Sequence, residues 1–172
     1  SRAERERRGN ARFLVREQVW KMRRAEDIAA VLETVGESLR ILGVPFVFCG
    51  VNIVVDKSTE PLAQVYTMNQ QGEWTRSGVA GSPVVVDIWQ SKELIYRRDI
   101  HREDPFGESL KFKTIRSLVD VPFSHGTLAV SSREPNAFSP EHLEVLRHMA
   151  LLLEEGFQRM DDLQSLEARN AI

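Results

Sequence analysis

Apolar residues recur at the spacing of one helix face through the first third of the chain. The two series are Val15, Val19 and Met22, and then Ile28, Val31, Leu32, Val35, Leu39 and Leu42. Gly43 and Pro45 follow the second series, and this order is typical of a helix end. Asp27 suits the N-cap of the second segment. The pattern predicts one long helix with a bend near Arg24.

The middle third is rich in β-branched residues separated by turn residues, which predicts strands. The predicted strands are residues 45–56, 62–68, 73–78 and 94–100, with a loop at 57–61 and a turn at 69–72. Between the third and fourth strands, Ser82 and Pro83 have the order of a helix N-cap and first helical position. The sequence therefore predicts a short helix there, and an irregular helical segment over residues 103–115.

Two further strand-like runs, residues 117–123 and 127–132, flank the sequence Ser-His-Gly. A three-residue hairpin loop needs glycine at its left-handed position, and Gly126 supplies it. Pro122 is placed near a strand end, where a missing N–H is tolerated at an edge or a bulge. These features predict a β-hairpin.

The last predicted element is a long helix. Ser139, Pro140 and Glu141 have the order of an N-cap, a first helical position and an acidic first turn. The apolar series that follows is Leu146, Met149, Leu153, Gly156, Phe157, Met160 and Leu163. Because the apolar series is longer than the core of a domain of this size, it predicts the start of a coiled coil.

Composition narrows the class of protein. The chain has 172 residues, a net charge of −2 and one cysteine, Cys49. This length suits one domain, and a single cysteine excludes an internal disulfide and zinc sites built on several thiolates. No apolar stretch reaches the roughly 18 residues of a membrane span, and the N-terminal residues lack the apolar core of a signal peptide. We expect a cytoplasmic protein without nucleic-acid or membrane partners.

Roughly residues 24 to 160 resemble a known family. The closing unit of GAF domains, a Gly-x-Leu strand leading into a helix that begins after Phe-Ser, is similar to residues 126–157, GTLAVSSREPNAFSPEHLEVLRHMALLLEEGF. Residues 82–100 resemble the helix-then-strand middle of that family. Residues 15–22, VREQVWKM, resemble the linker helix that precedes such domains in bacterial signalling proteins.

The resemblance implies a fold and a division of the chain. The fold is α+β, a GAF-like antiparallel sheet of about six strands with the N- and C-terminal helices packed on one face. The three implied parts are an N-terminal linker or signalling helix (1–24), a GAF-like sensor domain (25–158) and the start of a C-terminal coiled-coil signalling helix (159–172).

Motifs of several known ligand classes of the GAF family are absent. Cyclic-nucleotide-binding members share an Asn-Lys…Phe…Asp-Glu motif, whereas here Asn136-Ala137-Phe138 is followed by Ser-Pro-Glu. Bilin-binding members carry a thioether cysteine after the middle strands, whereas Cys49 is placed in the first strand. Members that reduce free methionine sulfoxide use several cysteines, whereas this chain has one. The ligand or cofactor is therefore unknown from the sequence.

The family places its ligand cavity between the sheet and the segments that cover the far face of the sheet. This implies that residues 102–115 form a lid over the cavity. Aromatic residues cluster in the middle third, although core packing alone would also explain most of them. The predicted ligand-binding residues are Tyr66, Trp74, Trp89, Tyr96, Phe106 and Phe112.

Three other candidates each have a functional and a simpler interpretation. In the functional interpretation His125 contacts a ligand, and in the simpler one it is a solvated residue at a hairpin tip. Cys49 is a redox or attachment thiol, or it is a small buried hydrophobe. Asp99, His101 and Glu103 alternate on one strand face as metal ligands, or they mark a charged strand end that continues into a loop. We expect the simpler interpretation in each case, and no metal site.

The two ends of the chain differ in charge. Residues 1–12 hold five arginines, and the last helix carries Glu154, Glu155, Asp161, Asp162 and Glu167. If the terminal helices pack together, these opposite charges pair between the helix ends; otherwise they are two solvated faces.

These observations favour a regulatory sensor and dimerisation module of a multidomain signal-transduction protein, of the sensor histidine kinase, two-component or cyclase type. Such a module relays the state of a small ligand or an upstream domain through its terminal helices to a downstream effector domain of the same chain. The predicted homodimer contacts are Val15, Val19, Met22, Leu153, Met160 and Leu163.

We expect no catalytic activity, because the sequence shows no Ser/His/Asp spacing, no phosphate loop and no pair of cysteines. Two alternatives remain open. One is a small-molecule enzyme on a GAF fold, and the other is a purely structural dimeriser without a ligand.

Overall fold

A computed structural model describes residues 1–56, 62–80 and 83–171, and within them all side chains except those of residues 25, 56 and 77–80. The helices are α1 (Arg2–Trp20), α2 (Ile28–Ile41), α3 (Pro83–Ser91) and α4 (Pro140–Asn170). The strands are β1 (Phe48–Asp56), β2 (Leu62–Asn69), β3 (Trp74–Ala80), β4 (Ile95–Arg97), β5 (Ser117–Phe123) and β6 (Gly126–Ser132). The sheet has the order β3-β2-β1-β6-β5-β4 with antiparallel pairs throughout.

The two faces of the sheet have different partners because side chains alternate along each strand. On β1, Cys49, Val51 and Ile53 are buried in the main hydrophobic core with residues of α1, α2 and α4. Phe48, Gly50 and Asn52 lie on the opposite face. The terminal helices therefore cover one face of the sheet, which leaves the other face to α3 and the segment between β4 and β5.

The first two helices are separate elements. A short 3-10 helix, Ala25–Asp27, joins α1 to α2, and the buried hydroxyl of Ser38 donates to the carbonyl of Ala11 at 3.2 Å. The prediction of one long helix with a bend is therefore wrong. Asp27 does occupy the N-cap of α2, but its carboxylate accepts the backbone N–H groups of Arg23 and Arg24 instead of capping that helix. This turn reverses the chain so that α1 packs along α2.

Both predicted helix boundaries at α2 and α4 are confirmed. Gly43 follows α2 with a φ of 72°, a left-handed conformation that glycine adopts without strain. Ser139 caps α4 by accepting the N–H of His142, and the ring of His142 accepts the N–H of Ser139 in return. For α3, Pro83 is the first helical residue, while the predicted cap Ser82 and the predicted loop 57–61 lie outside the described residues.

The predicted hairpin forms with a shorter loop. Phe123 pairs directly with Gly126, so the loop is Ser124 and His125 alone, and Gly126 is the first residue of β6. The φ of Gly126 is not positive; a Cβ there would lie 1.7 Å from the carbonyl oxygen of Asn52. Glycine is therefore required by the close approach of β1, and the prediction of a left-handed loop residue is wrong.

Pro122 is tolerated for the reason that the sequence suggests. β4 pairs with β5 only from Leu118 to Asp120, so among the described strands none faces residue 122 on that side.

The terminal helices run parallel to each other. Arg8 near the start of α1 lies 3.9 Å from Glu141 near the start of α4, while Arg159 donates to the carbonyl of Trp20 at the end of α1. The arginine-rich start of α1 is therefore distant from the acidic end of α4. The predicted pairing of these two charged segments does not form, since it requires antiparallel helices.

The predicted dimer residues do not form an outer surface. Val15, Val19, Met22, Leu153 and Met160 are each at most 5% exposed and belong to the core of one chain. Leu163 is half-buried. Their helical spacing is that of intramolecular packing, so these side chains cannot meet a second copy without unpacking the domain. The C-terminal part of α4, from residue 164 to 170, is exposed, and its coiled-coil role stays a prediction.

Candidate ligand-binding cavity

A cavity of about 680 Å³ lies on the face of the sheet opposite the terminal helices. Its floor is formed by cavity-facing residues of β1, β2, β5 and β6, and its walls by α3 and by residues 106–115. This volume is in the range of small-molecule sites. Residues 106–115, which we call the lid, contain the 3-10 helix Glu108–Leu110 after the left-handed residue Gly107.

Small residues at the centre of the floor leave space for the cavity. Gly50 of β1 pairs with Ala129 of β6 on one side and with Thr67 of β2 on the other. Apolar side chains surround this centre: Phe48, Val65, Val84, Val85, Phe106, Ile115 and Leu118. The cavity is thus apolar over most of its lining, with a limited number of polar groups.

A buried ion cluster forms one wall. Arg97 of β4 donates from Nε and Nη2 to both carboxylate oxygens of Glu108, at 2.7 and 3.0 Å, and from Nη2 to Asp120 at 2.7 Å. The side chains of Arg97, Glu108 and Asp120 are 1%, 7% and 6% exposed. Burial alone disfavours the guanidinium cation, but Asp120 and Glu108 outweigh this effect and raise the pKa of Arg97. The cluster ties the lid to the sheet.

Hydrogen bonds extend this cluster across the floor. The hydroxyl of Thr127 donates to Asp120 at 3.0 Å, and the side-chain amide of Asn52 donates to Thr127 at 3.0 Å. Asn52, Glu108 and Asp120 line the cavity. Arg97 and Thr127 thus donate to the two carboxylates, and Asn52 holds the Thr127 hydroxyl in place.

Two of the six predicted aromatic residues line the cavity, namely Phe106 and Phe112. Phe106 also lies under the Arg97 guanidinium, 5.6 Å from carbon to ring centroid. A role of these two rings in ligand binding stays a prediction.

The other four predicted aromatic residues lie elsewhere. Tyr66 is buried on the helix face of the sheet, and Trp74 is largely exposed. Trp89 donates from its indole to the carbonyl of Phe123, and Tyr96 packs edge-on against Phe138 while its hydroxyl accepts the N–H of that residue. Aromatic content alone did not reveal which face of each element points to the cavity.

Cys49 is a packing residue. Its side chain is 1% exposed and its sulfur lies 3.7 Å from the Cβ position at Gly36, so it faces α2 and points away from the cavity. Burial raises the pKa of the thiol to about 12, which keeps it protonated near neutral pH.

Asp99 is held in an ion pair. Arg116 donates to both of its carboxylate oxygens, at 2.8 and 2.6 Å, and these bonds lower the pKa of Asp99 to about 2. Asp99 also accepts the N–H of His101, which turns the chain immediately after β4. The predicted strand 94–100 therefore stops at Arg97, and Asp99, His101 and Glu103 do not share a strand face. Among the described residues no metal-binding group of these types forms.

His125 connects the hairpin to the last helix. Its Nδ1 is 2.7 Å from the Ser124 hydroxyl and its Nε2 is 2.6 Å from the Asp161 carboxylate, while its ring lies 5.0 Å from that of Phe157. The side chain is 13% exposed, so the prediction of a solvated tip residue is wrong. The structure brings Ser124, His125 and Asp161 together although the sequence separates them. None of the three lines the cavity.

The polar cavity residues were missed by the sequence analysis, although the sequence carries a signal for them. Asn52 and Asp120 are single polar residues inside apolar strand runs. A buried polar side chain at an alternate strand position requires a partner, and here the partners are across the sheet and in the lid.

The sequence matches no protein-family model and no curated protein. Solved structures do match. The free methionine-R-sulfoxide reductase of Neisseria meningitidis, in complex with its substrate, is 16% identical, with a TM-score of 0.63 over 93% of this chain and 91% of that chain. The GAF domain of an Acinetobacter phosphoenolpyruvate-protein phosphotransferase is 12% identical, with a TM-score of 0.62 over 92% of this chain and 97% of that chain.

This chain has a GAF-like fold. A GAF sensor protein of Burkholderia vietnamiensis, 15% identical with a TM-score of 0.59 over 92% of this chain and 93% of that chain, agrees. The predicted fold class, an α+β GAF-like antiparallel sheet with terminal helices on one face, is confirmed.

The comparisons also correct one prediction. The expectation of no catalytic activity, which rested on missing sequence motifs, is contradicted, because structures with this GAF-like fold include free methionine-R-sulfoxide reductases. The fold therefore carries both enzymes and sensors, and it does not decide between them.

No helix within the described residues is long and apolar enough to cross a membrane.

Proposed function

We propose that this chain is a small-molecule sensor domain whose ligand occupies the cavity between the sheet and the lid. The observation that carries the proposal is the cavity itself, about 680 Å³ with an apolar lining and a buried polar cluster on one wall. The GAF sensor protein of Burkholderia vietnamiensis among the similar structures supports it at the level of the fold.

The fold offers a route from ligand to helices. Adjacent residues of β6 point to opposite faces, so Ala129 lines the cavity while Leu128 and Val130 are buried against the helices. The His125–Asp161 contact joins the β5–β6 hairpin directly to α4. A change in the sheet is thereby coupled to α4, and the proposed output is a shift of the terminal helices that reaches an effector domain of the same chain, of the histidine kinase or cyclase type.

The proposed homodimer uses the outer faces of the terminal helices. Four large apolar side chains of these helices are exposed: Phe13, Trp20, Leu151 and Leu166. In this proposal they replace the six residues predicted from helical spacing, of which five are buried and Leu163 is half-buried. Sedimentation analysis of Phe13→Glu and Leu151→Glu should show loss of the dimer, and an unchanged dimer would place the interface elsewhere.

Native mass spectrometry tests the sensor function. The purified chain should carry an additional mass that disappears when the same sample is denatured. Ala129→Trp fills the cavity centre and should abolish the additional mass, whereas Ala30→Trp on the exposed face of α2 should retain it. A bound mass that Ala129→Trp retains contradicts binding in this cavity. A released molecule that is converted to a new product on incubation with the protein would make the site catalytic.

A further inference from the structure

The carboxylates of Glu108 and Asp120 line the cavity and are buried, whereas Lys111 and Lys113 line it and are exposed. The inference rests on the proposed function and names the chemistry of the ligand. One guanidinium, that of Arg97, faces two carboxylates, those of Glu108 and Asp120, and all three side chains are nearly inaccessible to solvent. The formal charge of this cluster is −1. An uncompensated charge away from water is costly, so the cluster favours a further positive group.

The hydrogen-bond capacity of the cluster also favours a positive group. A guanidinium has five N–H donors, and Arg97 uses four hydrogen bonds: one from Nε, two from Nη2 and one from Nη1 to the carbonyl of Ile95. Each carboxylate oxygen of Glu108 and Asp120 accepts one of the bonds described above and has capacity for another. Thr127 directs its own proton to Asp120. Within the described residues, this wall of the cavity offers acceptors to a ligand and has few donors left.

The lid also carries two positive charges, but they are placed differently. Lys111 and Lys113 line the cavity and are exposed, so water and salt screen their charges. Buried carboxylates act in a medium of lower dielectric and dominate the interior. Apolar side chains, among them Phe48, Val65 and Leu118, line the rest.

We propose that the ligand is an organic cation, an ammonium or amidinium group on an apolar body, and that Asp120 and Glu108 are its counter-ions. The positive group lies against the two carboxylates and donates to their remaining acceptor positions. The apolar body lies on the floor around Gly50 and Ala129. Because Glu108 belongs to the lid and Asp120 to the sheet, the cation holds the two together.

Three small probes of similar shape test the charge of the ligand on the wild-type chain. They are 2-phenylethylamine (cationic), 2-phenylethanol (neutral) and 3-phenylpropionate (anionic), titrated by calorimetry at pH 7. The amine should bind about 10-fold or more tightly than the alcohol, since hydrogen bonds to charged groups are strong. The anion should bind more weakly than the alcohol. A neutral or anionic probe that binds as tightly as the amine would overturn the proposal, and so would failure of the amine to bind.

Variants test the counter-ions. Asp120→Asn removes one charge at nearly constant shape and should reduce amine affinity to that of the alcohol. Asp162→Asn, a matched change on the exposed side of α4, should leave it unchanged. Glu108→Gln, in the lid, is a second variant in case Asp120→Asn does not fold, and unchanged amine affinity in a folded variant of either carboxylate contradicts the proposal.

The experiment separates failure of the charge inference from failure of the sensor function. If the native chain retains a neutral or anionic molecule that Ala129→Trp excludes, the cavity is a ligand site and the charge inference is wrong. If the native chain retains nothing and no probe binds, both proposals are wrong.

Discussion

The role of a charged residue in this domain depends on its partners. Asp99 and Asp120 are both carboxylates close to β4, yet Asp99 pairs with Arg116 beside a turn and Asp120 faces the cavity with Arg97. The same residue type thus has a structural role in one place and a candidate ligand-binding role 21 positions later. The partner and the surrounding surface decide the role, because they set the cost of burying the charge.

The Asp99–Arg116 pair should make stability depend on pH in the acidic range. The folded pKa of Asp99 is about 2, below the value of about 3.9 for an unfolded chain. A depressed pKa contributes stability above the unfolded value, and this contribution is lost as the pH falls through the folded value. Arg116→Met should therefore unfold at lower urea than the wild type at pH 7, and the difference should shrink between about pH 4 and pH 2.

Arg102 provides the control for this prediction. Its side chain is 86% exposed and lies 4.0 Å from the same carboxylate, so Arg102→Met should change the urea midpoint little at any pH. A difference between Arg116→Met and the wild type that stays constant down to pH 2 would show that the pair does not act through the charge of Asp99.

At the scale of elements, the packing of α1 on α4 depends on one glycine. Gly156 lies where α4 crosses α1, and a Cβ there would be 1.6 Å from Cγ1 of Val19. The helices approach closely because this position has no side chain. The helical spacing of the sequence places Gly156 on the apolar face, but only the contact with Val19 shows why a larger residue is excluded.

Two glycine-to-alanine changes in helices should have opposite effects. Gly9→Ala in α1 meets no atom within 4 Å and should stabilise the chain by about 0.5–1 kcal/mol, since alanine favours helix. Gly156→Ala should destabilise it by about 1–3 kcal/mol through overpacking. Urea unfolding monitored by circular dichroism measures both. Val19→Ala removes the atom that the new Cβ would meet, so the double variant should lose less unfolding free energy than the sum of the two single variants. A loss equal to that sum would contradict the contact.

At the scale of the molecule, the sheet separates two environments. One face packs on α1, α2 and α4 to form the main core, and the other forms the cavity with α3 and the lid. The predicted boundary between a linker helix (1–24) and a sensor domain (25–158) does not coincide with a gap in the core. Val15, Val19 and Met22 of the proposed linker are as buried as the residues of α2.

Removal of α1 tests whether it is part of the folding unit. Deletion of residues 1–20 removes Ala11, Val15 and Val19 from the core, each at most 1% exposed. Each of the two valines contributes about 1.5–3 kcal/mol by burial, against a typical total stability of about 5–15 kcal/mol. The shortened chain should therefore lose most of its cooperative thermal unfolding. Deletion of residues 167–172, of which 167–171 are exposed, is the control and should leave the melting temperature nearly unchanged. Equal melting of both shortened chains would make α1 a separable linker.

Much of the fold was predictable from local patterns. Runs of β-branched residues between turn residues located the strands, and helical spacing located the helices. The caps at Gly43 and Ser139 set two boundaries, because backbone geometry at these positions depends mainly on neighbouring residues. The reversal between α1 and α2 was not predictable in this way. The apolar spacing on both sides of Arg24 is helical, and the reversal at Ala25–Asp27 appears only with the contacts between α1 and α2, among them the hydrogen bond from Ser38 to Ala11.

The site was predictable only in outline. The family resemblance placed the cavity and its lid, and Phe106 and Phe112 do lie in its lining. The buried cluster was not predicted, since Arg97, Glu108 and Asp120 are 11 to 23 positions apart and come from a strand end, a lid and a second strand. Helical spacing likewise could not tell a dimer face from a core face, because both need the same periodicity.

The sequence by itself determined the element types and their approximate order, since these follow from local propensity and from the spacing of apolar residues. The GAF-like α+β fold was implied by the resemblance of its motifs to that family. The tertiary structure alone decided which face each element turns to the cavity, the parallel course of α1 and α4, and the partners of each buried charge. Those features depend on contacts between residues far apart in the chain. Their energies come from burial and complementary charge, which local sequence does not specify.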